Sequence, residues 1–93
     1  MTVRFWIPGP LTSMTGGRSH VDVETSGSML GDALAALFAA HPGIRDRVLT
    51  ERGEMREHVN VFVGKSSTRT SGGLATPIVH GTEISILPAI SGG

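Results

Sequence analysis

Cysteine is absent from this chain of 93 residues. Its absence excludes disulfides, thiolate metal sites and a cysteine nucleophile, and it fits a cytoplasmic protein. Aromatic residues are few, with one tryptophan, three phenylalanines and no tyrosine, and eight basic residues are balanced by eight acidic ones. With no basic surplus and little aromatic surface for base stacking, we expect no nucleic-acid partner.

Long apolar runs are missing as well. The longest, ALAALFAA at 33–40, is far too short to span a bilayer, and the N-terminal MTVRFWIPGP lacks the basic and apolar regions of a signal peptide. We therefore expect a cytoplasmic protein with no membrane partner. A chain of this length predicts one domain with one modest core, which buries roughly 60–70% of the unfolded surface.

Four segments alternate between apolar and polar residues: TVRFWIP at 2–8, HVDVET at 20–25, HVNVFV at 58–63 and EISIL at 83–87. This period of two predicts strands with one buried face. Between Leu30 and Phe38 the apolar residues instead follow a helical stripe. We expect Ser28 to cap this helix and Pro42-Gly43 to end it. A further short strand is predicted at 68–70.

The order of these elements is typical of an α+β protein with the β-grasp (ubiquitin-like) fold. One helix must cover one face of a mixed sheet of four to five strands if both apolar faces are to be buried. We expect the β-grasp domain to span 1–87. Because Pro88 has no N–H and cannot continue a strand ladder, residues 88–93 are predicted to form a flexible C-terminal Gly-Gly tail.

Three large apolar side chains fall on the sheet face that is predicted to point away from the helix: Trp6, Phe62 and Leu87. We call them the apolar patch. A register change of one residue would exchange them with the neighbours that we expect to be buried: Phe5, Val61 and Ile86. Clustered apolar residues on a solvent face indicate a partner-docking site. The alternative is incidental exposure, because single apolar surface residues are common.

Catalytic and metal-binding patterns are not evident in the sequence. The four histidines, at 20, 41, 58 and 80, lack the spacing of a metal site. No nucleophile is paired with a base, so we expect no catalytic residue and a protein that is not an enzyme. The run from Ile44 to Glu57 mixes basic and acidic residues, which is typical of a solvated surface.

The predicted tail ends in Ala89, Ile90, Ser91, Gly92 and Gly93. A chain end made of glycines can lie in a narrow tunnel and approach a reactive centre closely. Its special chemical group is the terminal carboxylate of Gly93. A carboxylate becomes an electrophile when a partner adenylates it with ATP, and sulfide, a thiol or an amine can then attack it.

The segments HVNVFVG, MLGDALAALF and GLATPIVHGTEISILPAISGG resemble the MoaD/ThiS family of ubiquitin-like sulfur carriers. SGGLAT and ILPA-x-x-GG are most similar to CysO-like carriers of the actinobacterial cysteine-synthase pathway. The resemblance covers nearly the whole chain. It implies that an E1-like enzyme adenylates Gly93 and that the resulting thiocarboxylate gives its sulfur to a biosynthetic enzyme. In the cysteine pathway the acceptor is an activated serine, and a metallopeptidase releases the new cysteine.

Two segments depart from the family pattern. His80-Gly81-Thr82-Glu83 stands where many members have Asp-Gly-Asp-Glu, and Pro88-Ala89 replaces the usual Pro-Pro. Two other functions stay open: a ubiquitin-like modifier joined through Gly93 to lysines of target proteins, and a plain β-grasp interaction module. The sequence also leaves open the final sulfur acceptor and whether residues beyond Gly93 are removed by a protease, as in some relatives.

Overall fold

The computed structural model describes residues 1–88. Within them lie five strands: β1 Thr2–Trp6, β2 His20–Glu24, β3 Val59–Val63, β4 Ser66–Ser67 and β5 Glu83–Pro88. The same residues form three α-helices: α1 Leu30–Ala40, α2 Arg45–Val48 and α3 Thr68–Ser71. Short 3-10 turns occupy Gly9–Thr15, Pro42–Ile44 and Gly73–Ala75. No helix in the described part of the chain is long and apolar enough to cross a membrane.

The sheet has the strand order β2-β1-β5-β3-β4. β1 pairs antiparallel with β2 and parallel with β5, and β3 pairs antiparallel with both β5 and β4. The last strand therefore lies in the middle of the sheet, beside the first one. This mixed sheet with its crossing helix is the β-grasp fold that the sequence predicts.

The core lies between α1 and one face of the sheet. The three residues predicted to point inward are buried, with Phe5 and Ile86 at 0% exposure and Val61 at 1%. From α1, Leu34 and Leu37 close the other side, again with almost no exposed surface. The alternation of each strand thus predicts correctly which side faces the helix.

The predicted start of the helix is wrong by one residue, since Met29 rather than Ser28 precedes the first turn. The Asp32 carboxylate accepts a hydrogen bond from the Met29 N–H at 3.1 Å. Ser28 is used differently, because its carbonyl oxygen accepts from the N–H of Ile78 at 2.9 Å. That contact ties the entrance of α1 to the segment before β5.

The predicted strand at 68–70 is also wrong. The strand is Ser66–Ser67, and Thr68 starts the short helix α3. The Ser67 hydroxyl accepts a hydrogen bond from the Arg69 N–H at 3.3 Å and so caps this turn. The buried Thr68 hydroxyl donates to the Val61 carbonyl at 2.8 Å, which fastens α3 to β3.

Gly31 has a packing role inside α1. A Cβ at this position would lie 3.3 Å from the carbonyl oxygen of Leu74. Next to it, the Leu30 N–H donates to the Thr76 carbonyl at 2.8 Å. The glycine lets residues 74–76 approach the helix closely, which offsets its lower helix propensity of about 1 kcal/mol relative to alanine.

Candidate functional site

The root of the C-terminal tail, which we define as Leu87 and Pro88, lies in the central strand β5. In the ladder with β3, Leu87 faces Asn60 and Pro88 faces Val59. The strand therefore runs one residue further than predicted. Proline lacks the N–H donor but its φ is compatible with an extended chain. The predicted tail residues from Ala89 to Gly93, including the carboxylate of Gly93, lie outside the described residues.

The apolar patch lies on the sheet face opposite α1, as predicted. Trp6 is 38% exposed and Leu87 is 40% exposed, while Phe62 is half-buried. Trp6 and Phe62 both face Ser85 in their ladders, so the two rings flank one small residue of β5. Leu87 follows two residues later on the same strand. The exposure is confirmed, and the docking role of the patch stays a prediction.

His20 extends this patch on the outer strand β2. It pairs with Trp6 in the ladder, and the two ring centroids are 4.6 Å apart in an edge-on arrangement with an interplanar angle of 61°. This contact cannot be predicted from the sequence, because the long connection between β1 and β2 leaves the register of the two strands open. The pair positions the tryptophan ring above the sheet.

Arg69 holds the other border of the patch in place. Its Nε donates to Asn60 Oδ1 at 2.9 Å, and its Nη2 donates to the Val59 carbonyl at 2.8 Å. Asn60 faces Leu87 across the ladder, so the arginine fixes the side chain next to the root. The sequence predicts a short strand at 68–70 and does not indicate this long-range contact of Arg69.

The opposite end of the open face is ionic. Arg4 Nε and Nη2 donate to the two carboxylate oxygens of Asp22, at 2.8 and 3.2 Å. This hydrogen-bonded pair lowers the pKa of Asp22 and raises the pKa of Arg4. Nearby, a hydrogen bond from the Thr2 hydroxyl lowers the pKa of Glu24. The face is thus apolar at the root and charged where β5 begins.

The turn before β5 has a structural role. His80 Nδ1 accepts a hydrogen bond from the Thr2 N–H at 3.1 Å, and the Gly81 N–H donates to the Thr2 carbonyl at 2.8 Å. The histidine therefore fastens the start of β1 to this turn. Within residues 1–88, no group of three or more potential ligands could hold a metal ion.

Comparison with known proteins gives a consistent result. The profile of the ThiS family matches residues 5–93. The sulfur carrier protein CysO of Mycobacterium tuberculosis is 39% identical over 95 residues, which cover 100% of both chains. Small archaeal modifier protein 1 of Haloferax volcanii is 37% identical over 84 residues, covering 89% of this chain and 91% of the relative.

Solved structures are similar to this fold over almost its full length. The crystal structure of Mycobacterium tuberculosis CysO matches with a TM-score of 0.84 and 38% identity, over 95% of this chain and 99% of that one. A chain of the BexX/CysO complex of Amycolatopsis orientalis matches with a TM-score of 0.87 and 33% identity, over 98% and 99% of the two chains.

Proposed function

The chain belongs to the ThiS family, and from this premise we propose that it is a sulfur carrier protein whose Gly93 carboxylate is converted to a thiocarboxylate. The end-to-end similarity to CysO, a protein named as a sulfur carrier, supports this proposal. In the first step the carboxylate attacks the α-phosphorus of ATP and releases pyrophosphate. Sulfide then attacks the acyl-adenylate, and AMP leaves with one former carboxylate oxygen, which leaves the thiocarboxylate on Gly93.

The chain would act as a protein co-substrate rather than an enzyme. An E1-like partner binds ATP and performs the adenylation, while this chain supplies only the reacting terminus and binds no cofactor itself. The residues from Ala89 to Gly93 would enter the active site of the partner. Apart from Ile90 their side chains are small or absent, which suits a narrow channel, and the absence of Cβ atoms at the last two residues allows close approach.

The apolar patch supplies the docking surface in this proposal. Leu87 belongs both to the patch and to the root, so a partner that covers the patch also holds the start of the tail. Trp6 and Phe62 provide aromatic anchors, the residue types that dominate binding energy at many interfaces. Fixing the root in this way places the reacting carboxylate, and misplacement by about 1 Å can cost roughly 100-fold in rate.

The sulfur would pass to a biosynthetic enzyme that makes cysteine or another sulfur-containing metabolite. If the product is cysteine, it forms on the carrier terminus and a metallopeptidase releases it. The similarity to small archaeal modifier protein 1 favours a second candidate function, in which Gly93 forms amide bonds with lysines of target proteins. In a third, the chain is a β-grasp interaction module whose terminus takes no part in chemistry.

Intact-mass spectrometry tests these functions directly. The chain is incubated with ATP, sulfide and the E1-like enzyme of its native host, and the expected product has one oxygen of Gly93 replaced by sulfur. A chain lacking residues 92–93 is the control and should stay unmodified. An unchanged carboxylate together with conjugates on lysines would favour the modifier. If the wild-type chain gives neither product, the carrier function is refuted.

Kinetics of adenylation test the docking surface separately. Phe62→Asp should raise the KM for the carrier in pyrophosphate exchange, because a charged group replaces an aromatic anchor in the contact. Val79→Asp is the matched control, since Val79 is 68% exposed and lies outside the apolar patch. The same KM for Phe62→Asp and the wild-type chain would exclude the patch as the docking site.

A further inference from the structure

A cleft opens on the other side of the tail root, between the 3-10 turn Gly9–Thr15 and the segment that joins α2 to β3. Its volume is about 700 Å³. Leu11, Met14 and Val59 give it an apolar lining, while Arg47, Arg56 and His58 add basic side chains. We call it the basic cleft. Val59 faces Pro88 in the sheet, so this cleft begins one strand away from the root.

The charges in the basic cleft are not balanced by ion pairs. Asp46 is the acidic residue of its lining, and its carboxylate lies 3.5 Å from Arg45, which is outside the lining. Arg56 Nε donates to the backbone carbonyl of Asp46 at 2.6 Å. Among residues 1–88, no carboxylate forms a salt bridge with Arg47 or Arg56. Two exposed guanidinium groups therefore remain available to an anionic partner.

We propose that the basic cleft docks an acidic segment of the enzyme that adenylates Gly93, an inference that rests on the proposed function. Guanidinium groups recognise carboxylates through paired hydrogen bonds. The apolar lining can hold the aliphatic part of such a segment. Contacts in the cleft and on the apolar patch would then hold the root from both faces of the sheet, which fixes the direction of the tail.

The inference predicts a charge-dependent KM. Arg47→Glu should raise the KM for the carrier about fivefold at low salt, since an attractive contact becomes repulsive. The value of kcat should not change, because Arg47 touches no reacting atom. The difference should shrink at about 1 M salt, where the screening length falls to roughly 3 Å. Pyrophosphate exchange with the E1-like enzyme of the native host measures both constants.

Two matched variants separate the cleft from other effects. Arg47→Lys keeps the charge at the same position and should retain most of the wild-type affinity. Arg52→Glu changes the net charge by the same amount but lies outside the cleft lining, and it should leave the KM unchanged. Thermal unfolding of all three variants shows that they are folded, as is expected for exposed positions.

Three results would overturn the docking proposal. One is an unchanged KM for Arg47→Glu. Another is an equal increase in KM for Arg52→Glu, because the effect would then come from the net charge of the chain and not from the cleft. The third is occupation of the cleft by the chain's own terminus, visible as changed NMR signals of Met14 and Arg47 when residues 89–93 are deleted without enzyme present. A wild-type chain that is never adenylated would instead refute the proposed function, and the docking proposal with it.

Discussion

Val61 and Phe62 are neighbours on β3 that point to opposite faces of the sheet, so aspartate at each position in turn tests the register of the strand. Val61 is 1% exposed and faces the buried Ile86 in the ladder. Phe62 is half-buried on the open face and faces Ser85. The two variants introduce the same group one residue apart. Their stabilities should nevertheless differ strongly.

The expected losses follow from burial. Val61→Asp removes about 1.5–3 kcal/mol of apolar burial and leaves a carboxyl without a partner, which costs about 1–3 kcal/mol more even when it is protonated. The sum of about 2.5–6 kcal/mol is a large part of the total stability of a chain of this length, about 5–14 kcal/mol. For Phe62→Asp the carboxylate stays hydrated, and the loss should be about 1 kcal/mol.

Thermal unfolding followed by far-UV circular dichroism distinguishes the two variants. A loss of about 1 kcal/mol lowers the Tm of a domain of this size by roughly 4–8 °C, which is the shift expected for Phe62→Asp. The Tm of Val61→Asp should fall several times further, or this variant should be unfolded at room temperature. In Val61→Asp, burial raises the pKa of the introduced carboxyl, so the folded state binds the extra proton more tightly than the unfolded state does. The stability lost relative to the wild-type chain should therefore diminish as the pH falls from 7 to 5. Equal Tm values, or a larger loss for Phe62→Asp, would refute the assigned register.

Three further outcomes are expected. Because Arg4 lowers the pKa of Asp22, the stabilisation from the ionised pair is present above the usual aspartate pKa of about 3.9 and is lost as the pH falls through the lower folded value. An NMR titration of the wild-type chain should show this low pKa of Asp22, and in Arg4→Gln the pKa should return towards the usual aspartate value. An unshifted pKa in the wild-type chain would contradict the pairing of Arg4 with Asp22. Gly27→Ala should push the Asp32 carboxylate off the first turn of α1, because the added Cβ would overlap it, at a cost of about 1 kcal/mol. In an Asp32→Ala background, urea titration should show a much smaller loss of unfolding free energy for Gly27→Ala. If the losses of the two single variants simply add, displacement of the Asp32 carboxylate is not the cause. Deleting residues 92–93 should abolish adenylation with no change in Tm, and a clear loss of Tm would mean that these residues contribute to the fold.

Most of the fold could be predicted because its signals are local and periodic. The alternation in β1, β2, β3 and β5 identifies both the strands and their buried faces, and the stripe from Leu30 to Phe38 identifies α1. β4 was misplaced because a strand of two residues is too short to show a period. The start of α1 was misplaced because the hydrogen bond between Ser28 and Ile78 joins residues far apart in the sequence.

The candidate site could be predicted only in part. Exposure of Trp6 and Leu87 follows from strand alternation, and both positions are confirmed. The contacts of His20 and Arg69 were missed, because they depend on a strand register and a short helix that the sequence does not specify. In the sequence, the charges of the basic cleft belong to the run from Ile44 to Glu57, which predicts a mixed solvated surface. Only the folded chain shows that Arg47 and Arg56 border the same cavity beside the root.

The central position of β5 has a mechanical consequence if, as proposed, a partner enzyme binds the C-terminal residues. β5 is hydrogen-bonded to β1 on one side and to β3 on the other. A pull on residues 89–93 along the strand would load both ladders in shear, so that many hydrogen bonds share the force at once. An outer strand pulled sideways would instead open one bond after another. If the proposed partner draws residues 89–93 into its active site, the domain should therefore stay folded outside it.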